Sequence, residues 1–159
     1  MEEQVTTRKG VSLAKGPVAI LGLAGVVYGI LGLIFGGNGF PTSQIPHGSV
    51  VGQHFLGLAG NGWTNALFIA AGLLLLFAAP MHWSAKSFAI IVAVALGAAA
   101  VIGAIRGNGI FGVFAANRWT EIIWGAAAIA LALLSVMPRV GRTRTVRTAP
   151  PPPPVARTQ

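Results

Sequence analysis

Four stretches of sequence without charge fix most of what this chain can become. Val18–Phe35, Trp63–Ala79 and Ser87–Ile105 hold no Asp, Glu, Lys or Arg, and Trp119–Met137 holds only Glu121. Each is 17 to 19 residues long, close to the ~20 that cross about 30 Å of hydrocarbon as a helix. In lipid every backbone N–H and C=O needs a partner within the protein, and a helix supplies one inside each segment. The runs are continuously apolar and do not alternate, which argues against membrane strands. Composition agrees: 54% of residues are hydrophobic and 9% charged, against ~25% charged in a soluble domain. The first run exceeds the 7–15 residues of a signal-peptide core, and no small-x-small site precedes the polar loop. It is expected to be a retained helix.

Boundaries are written in Pro, Gly and polar residues. Residues 1–15 form a polar arm. Gly16-Pro17 opens the first helix, where a missing N–H costs nothing. Residues 36–61 make a long loop with no charged side chain. Pro80 stops the second helix, and the short link Met81–Lys86 predicts that helices 2 and 3 are antiparallel neighbours. Ser84 or Ser87 is the expected cap of helix 3. Residues 107–117 form a second loop on the same side as the first, and Pro138 closes helix 4. This gives a four-helix transmembrane domain over residues 16–138. Residues 139–159, with five arginines and the run Pro150–Pro154, are expected to be an extended or disordered tail.

Nine of the eleven basic residues fall in the arm, the 81–86 link or the tail; Arg106 and Arg118 lie on the opposite side. The positive-inside rule places both termini in the cytoplasm and both loops outside. Trp63, Trp83, Trp119 and Trp124 lie at or near the predicted helix ends, as interfacial rings would. The basic residues behind the net charge of +8 cluster at the two ends and largely avoid the apolar stretches, so nucleic acid is not an expected partner.

The two halves resemble each other. Gly37-Asn38-Gly39 follows helix 1 and Gly107-Asn108-Gly109 follows helix 3. Asn61-Gly62-Trp63-Thr64-Asn65 then opens helix 2, and Asn117-Arg118-Trp119-Thr120-Glu121 opens helix 4. The order predicts two parallel two-helix repeats about an axis along the membrane normal. Asn-x-Trp-Thr has the makings of a helix start: a polar cap for orphan N–H groups and an interfacial ring. The short apolar stretches Phe55–Ala59 and Ile110–Ala116 are candidates to pair with each other as strands over the outer face.

Small residues mark packing faces. Gly22, Gly25, Gly29, Gly32 and Gly36 recur along helix 1 at spacings of three and four, as do Ala93, Gly97, Ala100, Ala104 and Gly107 along helix 3. In lipid, close packing rather than hydrophobicity drives helix association. The stripes serve either the bundle itself or a partner helix.

Chemistry is sparse. The acidic residues are Glu2, Glu3 and Glu121, too few to pair carboxylates for acid–base work. His47 and His54 share a loop without a ligand spacing, and Ser43, Ser49 and Thr42 have no base in sequence context. There is no cysteine. No enzyme activity, metal or cofactor is expected. The candidate polar corner is Arg106, Arg118 and Glu121, read first as an ion pair fixing the outer ends of helices 3 and 4 and second as a proton or ion site.

Gln53–Leu58, Asn61–Asn65, Leu76–Trp83 and Gly109–Asn117 together resemble actinobacterial four-helix membrane proteins grouped as domain of unknown function 4383. The resemblance covers residues 17–138 and implies a multi-pass plasma-membrane protein of a high-GC Gram-positive bacterium; it implies no activity. The sequence thus predicts an all-α integral membrane protein, a structural or accessory subunit whose partners are the bilayer and a membrane protein or a second copy. The alternative is a small oligomeric channel or transporter.

Overall fold

The computed structural model describes residues 5–8, 10–42, 45, 48, 50–107, 109–141 and 143–146. Glu2, Glu3, Ser43, His47, Ser49, Asn108 and the Pro150–Pro154 run lie outside them. Helices dominate: α1 Lys15–Phe35, α2 Gly62–Ala78, α3 His82–Arg106 and α4 Arg118–Val136. Three of these, α1, α3 and α4, are long and apolar enough to cross a membrane. The fourth, α2, is apolar but has 17 residues, or about 25 Å of rise. Asn61 and Pro80 bracket it and set that length.

Helices α1 and α2 form one tight hairpin and α3 and α4 the other; the α2–α3 contact is thinner. Helices 2 and 3 touch, but their turn joins two hairpins rather than making a third. Alanines, valines and leucines fill the core, with Val18, Ala85, Ala89, Leu131 and Trp124 almost fully enclosed. The outward face of α1 is Ile20, Leu23, Val27, Ile30 and Ile34, all exposed. It lies opposite the glycines and suits contact with acyl chains.

The termini depart from expectation. Val5–Arg8 (β1) pairs antiparallel with Thr143–Val146 (β6), and Val11–Ser12 (β2) with Arg139–Val140 (β5). The arm and the first part of the tail therefore form a two-stranded ribbon, not two separate extended segments. Strand pairing between residues more than a hundred positions apart leaves no local signature. The cap of α3 also differs. The helix starts at His82, its N-cap Met81 offers no side-chain bond, and Ser84 and Ser87 lie inside it.

Between α1 and α2, Gln53–Phe55 (β3) and Leu58–Gly60 (β4) make a hairpin with Leu56 and Gly57 at positive φ. Two central residues with φ > 0 are those of a type I′ turn, whose twist matches the strands. Before α4, Ile110 bridges to Phe114 around a turn with Phe111 and Gly112 at positive φ. Each short apolar stretch thus folds on itself; the two do not pair with each other as strands.

Candidate functional site

The loops meet through side chains. Asn61 precedes α2 in an extended conformation, and its Oδ1 accepts from the N–H of Thr64 at 2.9 Å and lies 3.0 Å from the Thr64 hydroxyl. Asn117 does the same for Thr120 at 2.9 and 2.8 Å. These caps satisfy donors that a helix start leaves open. The second half of each side chain reaches the other loop. Asn61 Nδ2 donates to Val113 O (2.6 Å) and Thr64 Oγ1 to Ala115 O (2.7 Å). Asn117 Nδ2 donates to Gly57 O (3.0 Å) and Thr120 Oγ1 to Ala59 O (2.9 Å). Adding 56 to every residue number in the first pair of clasps gives the donors of the second, and the acceptors exchange in the same way. Asn61, Thr64 and Thr120 are buried, so the loop carbonyls they reach obtain partners where water does not serve them.

Below the clasp lies a polar residue that differs between the halves. Asn65 is buried, donates to Gly37 O at 2.8 Å and lies against Gly32 of α1. Its counterpart by the same offset is Glu121. A Cβ at Gly103 of α3 would lie 2.8 Å from Glu121 Oε1. Gly32 and Gly103 hold equivalent places, each accepting from the N–H of the glycine that ends its helix, Gly36 at 2.9 Å and Gly107 at 2.8 Å. Arg118 and Glu121 share a pocket of about 450 Å³ with Ala100, Val101, Ala104 and Ile122. Arg106 is not part of that lining; its guanidinium lies 5.6 Å from the centre of the Phe111 ring. The proposed corner is therefore two residues in one pocket plus a third that covers an aromatic ring.

The glycine face of α1 lies inside the first hairpin. A Cβ at Gly22 would sit 2.8 Å from Gly72 O of α2, and at Gly29 2.6 Å from Asn65 O. Gly25 faces Phe68 and Gly72, and Gly36 meets Phe55. Gly72 closes the seam from α2, where a Cβ would lie 2.5 Å from Gly22 O. Backbones approach at these points as small residues allow. The stripe is occupied by α2 and offers no free face to a partner helix. On α3 the stripe is looser. Ala93 is buried, Gly97 faces Ala128 and Ala100 faces Gly125. Ala104 is exposed at the Glu121 pocket, and Gly103 takes the inward place. On so alanine-rich a helix several small-residue stripes fit the sequence equally well.

Among the tryptophans, Trp83 and Trp119 are exposed, as interfacial rings are. Trp63 is half-buried, with its indole donating to Pro41 O at 3.2 Å. Trp124 is fully buried; its indole N–H has no hydrogen-bond partner among the described residues, and its ring lies 6.2 Å from that of Phe68. It is a core residue joining the two hairpins, nearly two turns inside the helix end that suggested an interface. Near it an apolar cavity of about 390 Å³ runs between the hairpins, with Leu21, Tyr28, Phe68, Leu96 and Leu131 among its walls.

Comparison with family models, with curated proteins and with solved structures finds no match to this chain.

Proposed function

We propose that this chain is a non-enzymatic, multi-pass membrane protein, a structural or accessory subunit built from two parallel hairpin repeats. In this reading all four helices span the bilayer, with both termini in the cytoplasm. The reciprocal clasp carries the proposal. A constant offset of 56 residues relates the caps, the crossing donors and the acceptors, as a duplicated hairpin would. It also joins the two loops at one end of the helices, which supports a reading in which α2 crosses. A helix of 17 residues spans by local thinning of the bilayer at modest cost. A bacterial plasma membrane is part of the same proposal.

A structural role fits the use of the polar groups. Asn61, Thr64, Asn65, Asn117 and Thr120 all bond to loop carbonyls of the chain itself. The small-residue faces hold the hairpins together, so contact with another membrane protein falls to the aliphatic faces. The second reading, a small oligomeric channel or transporter, rests on Glu121, the one acidic residue among those described, in its pocket with Arg118. Proton and ion flux into liposomes bearing the purified protein separates the two. The structural proposal expects flux equal to that of empty liposomes. Robust flux abolished by Glu121→Gln would overturn it. Crosslinking in native membranes is expected to join the chain to a second membrane protein.

A further inference from the structure

At the end opposite the clasps, residues from four separate elements gather. Ser12 of β2 pairs in register with Arg139 of β5. Its hydroxyl is joined to His82 Nδ1 by a 2.6 Å hydrogen bond. His82 is the first residue of α3, and Lys86 follows one turn later. Lys15, three residues after Ser12, begins α1. The charges of Arg139, Lys86 and Lys15 all act on the buried His82 ring. Among the described residues no carboxylate lies at this end; Glu121 is at the other. Neither α1 nor α3 has a side-chain cap here, unlike α2 and α4. Their open first-turn N–H groups add to the positive potential. Trp83, exposed and 5.8 Å from Lys86 Nζ, lies beside the cluster where an interfacial ring would.

We propose that Lys15, Lys86 and Arg139 form a binding site for the head group of an anionic phospholipid. The Ser12–His82 bond and the β2–β5 pair hold the three cations together, and the lipid phosphate supplies the negative charge that the described chain lacks at this end. The position suits a lipid rather than a soluble anion. The cations stand where the apolar runs of α1 and α3 begin, at the depth of a head group, and basic groups between helices at that depth attract anionic lipid. The inference requires α1 and α3 to be membrane spans but not the structural role proposed above.

Native mass spectrometry of the full chain in mild detergent, with equimolar phosphatidylglycerol and phosphatidylcholine, tests it. The wild type should retain phosphatidylglycerol over phosphatidylcholine by on the order of tenfold, from roughly fivefold per cation near a surface attenuated by detergent and salt. The combined Lys15→Gln, Lys86→Gln and Arg139→Gln variant should fall toward parity, and Arg106→Gln with Arg118→Gln at the other end should not. If the triple variant does not fold, Arg139→Gln alone, at an exposed position, should lose part of the preference. Equal retention of both lipids by the wild type would overturn the proposal, as would a preference undiminished in Arg139→Gln and in the triple variant.

Discussion

The hydroxyl of Thr64 donates to the main-chain oxygen of Ala115 at 2.7 Å, and the two residues stand 51 positions apart. Thr120 donates to Ala59 at 2.9 Å in the mirrored contact. Each threonine hydroxyl also lies within hydrogen-bond distance of the Oδ1 of its own cap residue, Asn61 or Asn117, so its single proton is shared between cap and loop. One residue type thereby starts a helix and ties that start to the opposite loop, so the two hairpins share one loop surface.

Removing the hydroxyl at either position should be costly. Thr64→Val keeps the shape and leaves Ala115 O without its donor, a loss of about 1–3 kcal/mol for an unsatisfied buried group. Thermal unfolding in detergent should show Thr64→Val and Thr120→Val lowering the midpoint to a similar extent. Thr42→Val, at an exposed loop position, should leave it within error. A neutral Thr64→Val would detach the clasp from stability.

The α1–α2 seam should reject side chains that the α3–α4 seam accepts. A Cβ at Gly29 would lie 2.6 Å from Asn65 O, whereas at Gly97 it would lie 3.5 Å from Ala128 Cβ. Gly29→Ala forces the helices apart and should cost about 1–3 kcal/mol. Gly97→Ala meets ordinary van der Waals contact and should be neutral or slightly stabilising, since alanine is the better helix former. The midpoints of the two variants, measured in the same detergent, check this; equal effects would contradict the seam.

Trp124 should tolerate phenylalanine better than its burial suggests. Trp124→Ala empties a large core volume and should cost about 3–5 kcal/mol. Trp124→Phe loses some contact but removes an indole N–H that has no partner among the described residues, and these effects oppose each other. Its stability should stay within about 1 kcal/mol of wild type, on the unsatisfied-group scale. Unfolding midpoints of the two variants would show it.

The helices were legible in the sequence because their signals are local. The apolar runs mark α1, α2 and α4 to within about three residues at each end, and Asn61 and Asn117 stand where polar caps are expected. Helix α3 begins five residues before its apolar run, at His82, because a backbone start without a side-chain cap leaves no residue signature. What the sequence hid depends on residues far apart. Asn61 announces a cap, but nothing near it names Val113 as its second partner. The β1–β6 and β2–β5 pairs join the chain's two ends. Trp124 lies nearly two turns into α4, where a tryptophan fits an interface or a core, and packing against the other hairpin decides. Gly103 was hidden among alanines, whereas Glu121 and Asn65 were visible as the place where the halves differ. The structure adds that each meets the equivalent glycine of its hairpin.

The central claim is that both loops lie on one side of a membrane crossed four times. The chain has no cysteine, so single cysteines report cleanly. Cysteines replacing Leu56, Phe111 and Val140, all exposed, should be tested with a membrane-impermeant maleimide on intact cells. The account predicts labelling of Leu56→Cys and Phe111→Cys from outside, and of Val140→Cys only after permeabilisation. Labelling of Leu56→Cys and Phe111→Cys from opposite sides would mean that α2 and α3 do not both cross, and would contradict the account.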